Sequence, residues 1–510
     1  MTHLAHFMLL LLLIFFLSLS ATFEISNARM VKKKPTGGAH ARGHHYKGGA
    51  AQPPARAPLP KQGSGSAAFS VMDFGARGDG KTDDTKAFQS AWAAACKVEA
   101  STMIVPSGYT FLVGPISFSG PYCAQNIVFQ TSTDWAWFIL SAQPLQWIGQ
   151  RLELDGTVIA PAGFQPWGSG LFQWMLFSKL VGITIRGTGT LDGSGSIWWQ
   201  DSQDDEPIED NESRFIVPLN NSIEKHDPMP ADRKFKGKMP GIKPTALRFY
   251  GSFKVTVTGI KIQNSPQCHL KFDNCVGVTV FQIRVSSPGN SPNTDGIHLQ
   301  NSQQVNIRDT DIACGDDCVS IQTGCSSVFV HDVNCGPGHG ISIGGLGKAN
   351  TKACVSNVTV RDIKMHNTMT GCRIKTWQGG SGSVQGVMFS NIQVSEVQLP
   401  IVIDQFYCDK MRCTNQSSAV ALNGITFQKI IGTYTVKPVH LACSDSIACT
   451  GVTLNTVQLK PLQERYHMYD PFCWQAFGEV TTPTIPPIEC LQFGRPAKNP
   501  VQSEENSCSA

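Results

Sequence analysis

The sequence predicts an all-β fold, a parallel β-helix (solenoid) with an N-terminal capping helix. Three observations carry that prediction. Short alternating strands recur along the chain, at Val181-x-Ile183-x-Ile185, Val255-x-Val257, Val278-x-Val280, Val305-x-Ile307, Val328-x-Val330, Val358-x-Val360 and Ile425-x-Phe427. The starts at Val278, Val305, Val328 and Val358 lie 27, 23 and 30 residues apart, too close for a repeated β-α-β crossover. Helical periodicity is almost absent, and Asn, Gly, Ser and Asp fill the turns. Nearly all-strand repeats of this length stack coil upon coil, so that only the ends remain to be capped. A propeller or sandwich of antiparallel hairpins is the alternative, and the scarcity of two-residue hairpin signals weighs against it. With 41% hydrophobic and 16% charged residues among 510, the composition excludes a disordered, collagenous or coiled-coil protein.

Residues 1–28 read as a cleaved secretory signal: an apolar run from Phe7 to Leu19, too short to span a bilayer comfortably, precedes the small-residue site Ser26–Asn27–Ala28. The alternative is an N-terminal anchor, since the charged region before the run is weak. No later segment resembles a membrane span, so a soluble extracellular protein is expected after signal removal, with no membrane partner. Residues 29–68, rich in Gly, Ala, Pro, Lys and His, form a basic arm with nothing to bury, expected to be disordered. The arm carries +8 and residues 1–28 carry −1, which leaves the rest of a +4 chain at −3. Basicity therefore belongs to the tail, and no nucleic-acid partner is expected. Electrostatic attachment to a polyanion and a plain spacer or removed propeptide are equally good readings of the arm.

The domain spans 69–495, with a polar tail at 496–510. Thr82–Asp83–Asp84 precedes the one clear amphipathic helix, Thr85 to Cys96, placed to cap the open end of the solenoid. The charged stretch at 196–240 interrupts the coils and must loop outward, where it could wall a cleft. In an exported chain the 17 Cys read as disulfides rather than metal ligands. Short gaps suggest local staples at Cys268/Cys275, Cys408/Cys413, Cys443/Cys449 and Cys473/Cys490, leaving Cys508 as the odd thiol. The sequons at Asn211, Asn220, Asn357 and Asn415 fit glycosylation of an exported protein.

Residues one coil apart lie about 4.8 Å apart along the axis. Asp295 lies in Asn293–Thr294–Asp295–Gly296, Asp316 and Asp317 lie in Cys314–Gly315–Asp316–Asp317–Cys318, and His339 lies in Gly338–His339–Gly340. Asp316 follows Asp295 by 21 residues and His339 follows Asp317 by 22, one coil each. Arg373 and Lys375 come 34 and 36 residues after His339, and Tyr407 comes 32 after Lys375, as longer coils allow. If the register holds, three carboxylates, an imidazole, two cations and a phenol share one face. Those are the parts for hydrolysing a bond between acidic sugars: an acid for the leaving oxygen, a carboxylate to activate water, and cations for a substrate carboxylate. Crowded carboxylates resist joint ionisation, so at least one is expected to keep its proton to a higher pH than an isolated Asp. Adjacent strand residues face opposite ways, so a turn or bulge near Gly315 is needed for Asp316 and Asp317 to act together. Stacked Asn/Asp ladders satisfying turn backbones would explain any one of these residues, but not all of them in register.

In that order and spacing, Asn293–Thr294–Asp295, Gly315–Asp316–Asp317–Cys318, Gly338–His339–Gly340 and Arg373–Ile374–Lys375 resemble the four signature motifs of the polygalacturonases, the pectin hydrolases of glycoside hydrolase family 28. The resemblance also takes in Asp73 to Gly80, Ser119 to Cys123 and Asp404 to Cys408, and is nearest to plant members. It implies a right-handed parallel β-helix and hydrolysis of α-1,4-galacturonan with inversion, without metal or cofactor. By resemblance Asp316 is the general acid, Asp295 and Asp317 activate water, His339 supports the acid, and Asn293, Arg373, Lys375 and Tyr407 bind substrate. A disulfide between Cys318 and Cys335 is implied as well. Pectic polysaccharide in the cell wall is then the expected partner of a monomeric enzyme. Hydrolysis of a modified pectin such as rhamnogalacturonan, and a catalytically silent wall-binding β-helix, are the alternatives. A lyase would want Ca²⁺ ligands and a strong base. Lys243–Pro244–Thr245, the long arm and the 196–240 insertion depart from the family pattern, and Cys314, Cys325, Cys354 and Cys372 look like additions; no departure removes a catalytic group.

If the arm binds pectin through its charge, a protein lacking residues 29–68 will be retained less on de-esterified pectin at low salt, and the difference will vanish as salt is raised. Equal retention at low salt would refute the electrostatic reading.

Overall fold

The computed structural model describes residues 67–126, 128–130, 155–163, 165–167, 173–200, 243–409, 413–463, 470–496 and 508. The expected signal, nearly all of the basic arm, and residues 201–240 of the insertion lie outside the described residues. Within them the repeat read from the sequence is the register itself. Val255, Val278, Val305, Val328, Val358, Val387, Ile425 and Val452 pair one with the next in parallel. Each is at most 1% exposed, because alternate residues of every strand point into the same core. Val181 joins only through an isolated bridge to Phe253, and the strand there begins later, at Thr184–Arg186.

Among the described residues the ladders form two parallel sheets, one of eleven strands and one of twenty. One corner of the larger sheet recurs at the same position of successive coils. Gln282, Asp309, Asp332, Asp362, Asn391, Lys429 and Thr456, each two residues after a paired core position, all have left-handed φ between 49° and 57°. Asn and Asp tolerate that conformation best, and they supply four of the seven. Asn391 Nδ2 donates to Asp362 Oδ1 across this corner, a polar turn contact of the kind considered as an alternative for the acidic motifs.

Inside, aromatic rings stack at the spacing of the coils. Phe118, Phe177, Phe249 and Phe272 follow one another with centroids 4.7, 5.3 and 5.2 Å apart, and Phe389 lies 5.4 Å from Phe427. The column is covered at its N-terminal end by the helix Thr85–Ala95, which buries Ala87, Phe88, Ala91, Trp92 and Ala95. Trp92 sits edge-on to Phe177 and 5.1 Å from Phe118. Asp83 accepts the backbone N–H of Thr85 at the helix start, whereas Asp84 turns away to accept from the N–H groups of Arg77 and Gly78. No helix among the described residues is long and apolar enough to cross a membrane.

The cysteine expectations need correction at two places. Cys318–Cys335, Cys408–Cys413, Cys443–Cys449 and Cys473–Cys490 are bonded, as is Cys96–Cys123. Cys268 and Cys275 are instead free, buried thiols. They flank the extended strand Leu270–Asp273, whose rise of about 3.3 Å per residue holds them far beyond the Cα separation of about 6 Å that a disulfide allows. Cys508 is not the spare thiol: it is bonded to Cys354 across 154 residues. The free cysteines among the described residues are Cys268, Cys275, Cys314, Cys325 and Cys372, all buried.

Ile307, fully buried between Val280 and Val330 on the adjacent coils, tests the register. Ile307→Ala is expected to cost about 2–5 kcal/mol and to lower the melting temperature clearly. An unchanged melting temperature would mean that this column is not the core.

Candidate active site

The site is built on five consecutive rungs of the eleven-stranded sheet: Ile297–Gln300, Val319–Ile321, Ile341–Leu346, Thr370–Trp377 and Leu399–Tyr407. Register matches Ile297 with Val319, Val319 with Ile341, Ile341 with Cys372, and Cys372 with Ile401. Asp295, Asp317 and His339 each lie two residues ahead of their matched position, so they occupy equivalent places on successive coils. The rung partner of Asp295 is Asp317 rather than Asp316. Between the strands ending at Ala313 and starting at Val319 the chain bends, which frees Asp316 and Asp317 from strand alternation and lets both serve one cleft.

Close packing fixes that bend. A Cβ on Gly315 would fall 1.9 Å from the Ser291 carbonyl oxygen, so only glycine fits, and the Gly315 N–H donates to Thr294 Oγ1 at 2.9 Å. The His339 N–H donates to the Asp316 carbonyl at 2.7 Å, and Cys318–Cys335 staples the next loop. The Asp295 backbone is held from the preceding coil, where the His269 N–H and ring Nδ1 both meet its carbonyl at 2.8 and 2.9 Å.

The side chains form two linked ion systems. His339 Nδ1 lies 2.9 Å from Asp316 Oδ1. Asp317, almost wholly buried, accepts from Ser342 Oγ at 2.6 Å and Arg373 Nη2 at 2.7 Å on one oxygen, and faces Lys375 Nζ at 3.3 Å on the other. Ser342 is matched in register with Arg373 and accepts from its Nε at 2.9 Å. Gly344 is matched with Lys375, and a Cβ there would fall 2.0 Å from Lys375 Cγ, so a missing side chain makes the channel through which the lysine reaches back to Asp317. Lys375 Nζ also stands 5.0 Å above the Tyr407 ring, which is braced edge-on by Trp377. Asn293 lies at the exposed turn two residues before Asp295, with left-handed φ of 56°. Ser342, Gly344 and His298 are not singled out from the sequence, Cys268 is read there only as half of a disulfide, and the register reveals their place at the site.

Charge is divided unevenly. Burial, and then the neighbouring charge of Asp316, raises the pKa of Asp295 above the ordinary carboxylate range, against the hydrogen bond from His298. Burial also pushes Asp316 upward, but His339, Lys375 and Arg373 outweigh it and hold the group well below the usual range. Asp317 is likewise lowered, burial being outweighed by Lys375 and Arg373. Burial and Arg373 oppose the charge on Lys375, yet Asp317, Tyr407 and Asp316 bring it to about 12. The carboxyl expected to retain its proton is therefore Asp295. Ligand atoms of Asp316, Asp317 and His339 lie within 4.8 Å of one another, as do those of Cys268, Asp295 and His298. A metal ion at the first group would meet the repulsion of Arg373 and Lys375, already paired with Asp317.

A carboxyl whose pKa is raised in the folded state contributes stability at low pH and loses it as pH rises through that value. At neutral pH the Asp295 charge thus works against the fold, and Asp295→Asn is expected to raise the melting temperature at pH 7 by a few degrees, with the gain shrinking as pH falls. Scanning calorimetry at several pH values checks this, and a lower melting temperature at pH 7 would contradict it.

Known proteins share both sequence and architecture with this chain. The model of glycosyl hydrolases family 28 matches residues 229–468. A polygalacturonase of Cryptomeria japonica is 37% identical over 394 residues, covering 77% of this chain and 67% of that one. Polygalacturonase-2 of Solanum lycopersicum is 34% identical over 399 residues, covering 78% and 76%. Among solved structures, the polygalacturonase of Erwinia carotovora superposes with a TM-score of 0.57 at 20% identity, covering 84% of this chain and all of that one. It shares the fold. With its motifs on consecutive rungs and this extent of identity to plant relatives, the chain belongs to family 28 of the glycosyl hydrolases.

Proposed function

We propose that the protein hydrolyses α-1,4-galacturonosyl linkages of homogalacturonan with inversion, as an exported enzyme of the cell wall. The observation that carries the reading is the cluster itself: three carboxylates and an imidazole on adjoining rungs, beside two cations held at fixed positions. Pectin is a polyanion, and a cleft meant for it needs charge to hold the sugar carboxylate as well as acids and bases to cut the bond. Arg373 and Lys375 supply the charge, with Tyr407 and Asn293 bordering the same cleft.

The reaction needs a proton on the leaving oxygen and a base on the opposite side of the sugar. In the resting cleft Asp316 is an anion partnered by His339. Arg373 and Lys375 help to keep it ionised. A substrate carboxylate bound to those cations cancels part of their field, and exclusion of water raises the cost of the Asp316 charge. Both effects move the proton toward Asp316, so substrate binding primes the acid that cuts it. Asp295 is the stronger base of the remaining pair and activates water once ionised. Asp317, whose Oδ1 already accepts from Ser342 and Arg373, orients the cations and offers Oδ2 as a second acceptor for the water.

Asp316→Asn is expected to lower kcat on de-esterified polygalacturonate by about 10³-fold or more with little change in melting temperature, measured as released reducing ends. The α- or β-configuration of the first product, followed by NMR, tests inversion. Near-normal turnover by the folded variant would overturn the role of Asp316. Cleavage of purified rhamnogalacturonan in preference to polygalacturonate would move the substrate to a modified pectin.

A further inference from the structure

His298 touches the water-activating carboxylate, yet the reaction scheme assigns it nothing. Its Nδ1 lies 2.7 Å from Asp295 Oδ2, and the side chains are only 14% and 12% exposed. Register places His298 in the outward-facing row that passes through Lys271, Ser320 and Ser342 to Arg373, so it stands on the cleft side of the sheet and not in the core. The Cys268 thiol approaches the same Oδ2, at 3.7 Å. We infer that His298 is a positioning residue, donating Nδ1–H to Asp295 Oδ2 and thereby turning Oδ1 toward the attacking water. The inference rests on Asp295 acting as the base.

The surroundings of Asp295 make such a donor necessary. Asp316 and Asp317 face it from the next coil, Cys268 from the preceding one with Lys271 nearby, and His298 from its own strand. Asp316 and Asp317 both disfavour its ionisation, as burial does, whereas His298 favours it through the hydrogen bond and through its charge when protonated. A base must be ionised to accept a proton from water, and loss of this donor would shift Asp295 further toward its protonated form. A hydrogen bond also fixes the carboxyl rotation, which burial alone leaves open.

The experiment compares His298→Asn, whose amide nitrogen takes the place of Nδ1, with His298→Gln, which moves the donor by one bond, in the full-length protein. With polygalacturonate as substrate, His298→Gln is expected to lose about tenfold or more in kcat at little change in KM, and the acidic limb of kcat/KM should move up by about one pH unit. His298→Asn should recover most of the rate. Equal kcat and an unmoved limb in His298→Gln, or equal loss in both variants, would overturn the inference. Asp295→Asn is assayed alongside. If it stays active, the assignment of Asp295 as base fails. If it is inactive while His298→Gln behaves as wild type, that assignment stands and only the role of His298 falls.

Discussion

Everything in this molecule depends on coil-to-coil register at a spacing of about 4.8 Å. A parallel ladder fixes which residue of one coil lies over which residue of the next, and a shift of one position would turn core valines outward. The column from Val255 to Val452 and the stacked phenylalanines keep the coils in phase. The same phase delivers Asp295, Asp317 and His339 to equivalent places on three rungs. The geometry of the candidate site is a by-product of hydrophobic packing on the other face of the same strands.

Within that frame the site is organised by one buried anion. Asp317 accepts from Ser342 and Arg373 and faces Lys375, and a carboxylate so deeply placed would be costly without them. Three charges therefore hold one another in place before any substrate arrives. The arrangement leaves net positive character beside Asp316 and net negative crowding at Asp295, which separates the proton affinities of two chemically identical groups. Difference of environment, not of residue type, sets the two groups apart.

Much of the fold was legible because the repeated valines are both the strand signal and the register. The coil carrying Val387 was not read from sequence, although it pairs with Val358 and Ile425, because its strand lies in a long, mixed run from Ser381 to Val397. The clustering of the acidic motifs was legible from spacing, but spacing matched Asp295 with Asp316, and the bend at Gly315 makes Asp317 its true rung partner. His298 and Ser342 were invisible for a simple reason: a polar residue in an outward row looks like any solvated strand residue until the row is known to face a cleft. The pairing of Cys354 with Cys508 had no local signal at all, since closeness in sequence is the only guide a single chain offers to connectivity.

That last bond changes how the solenoid comes apart. Stacked arrays lose structure from their ends, where a coil has only one neighbour. The N-terminal end is plugged by the helix Thr85–Ala95. At the other end, Cys354–Cys508 encloses the coils between them in a covalent ring of 154 residues, and a ring of that size restricts the unfolded chain by about 5 kcal/mol. Arg373, Lys375 and Tyr407 all lie inside the ring. Peeling, the ordinary failure of a stack, is thereby converted into the opening of a hoop, and the rungs that carry Arg373, Lys375 and Tyr407 inherit the durability of a closed loop.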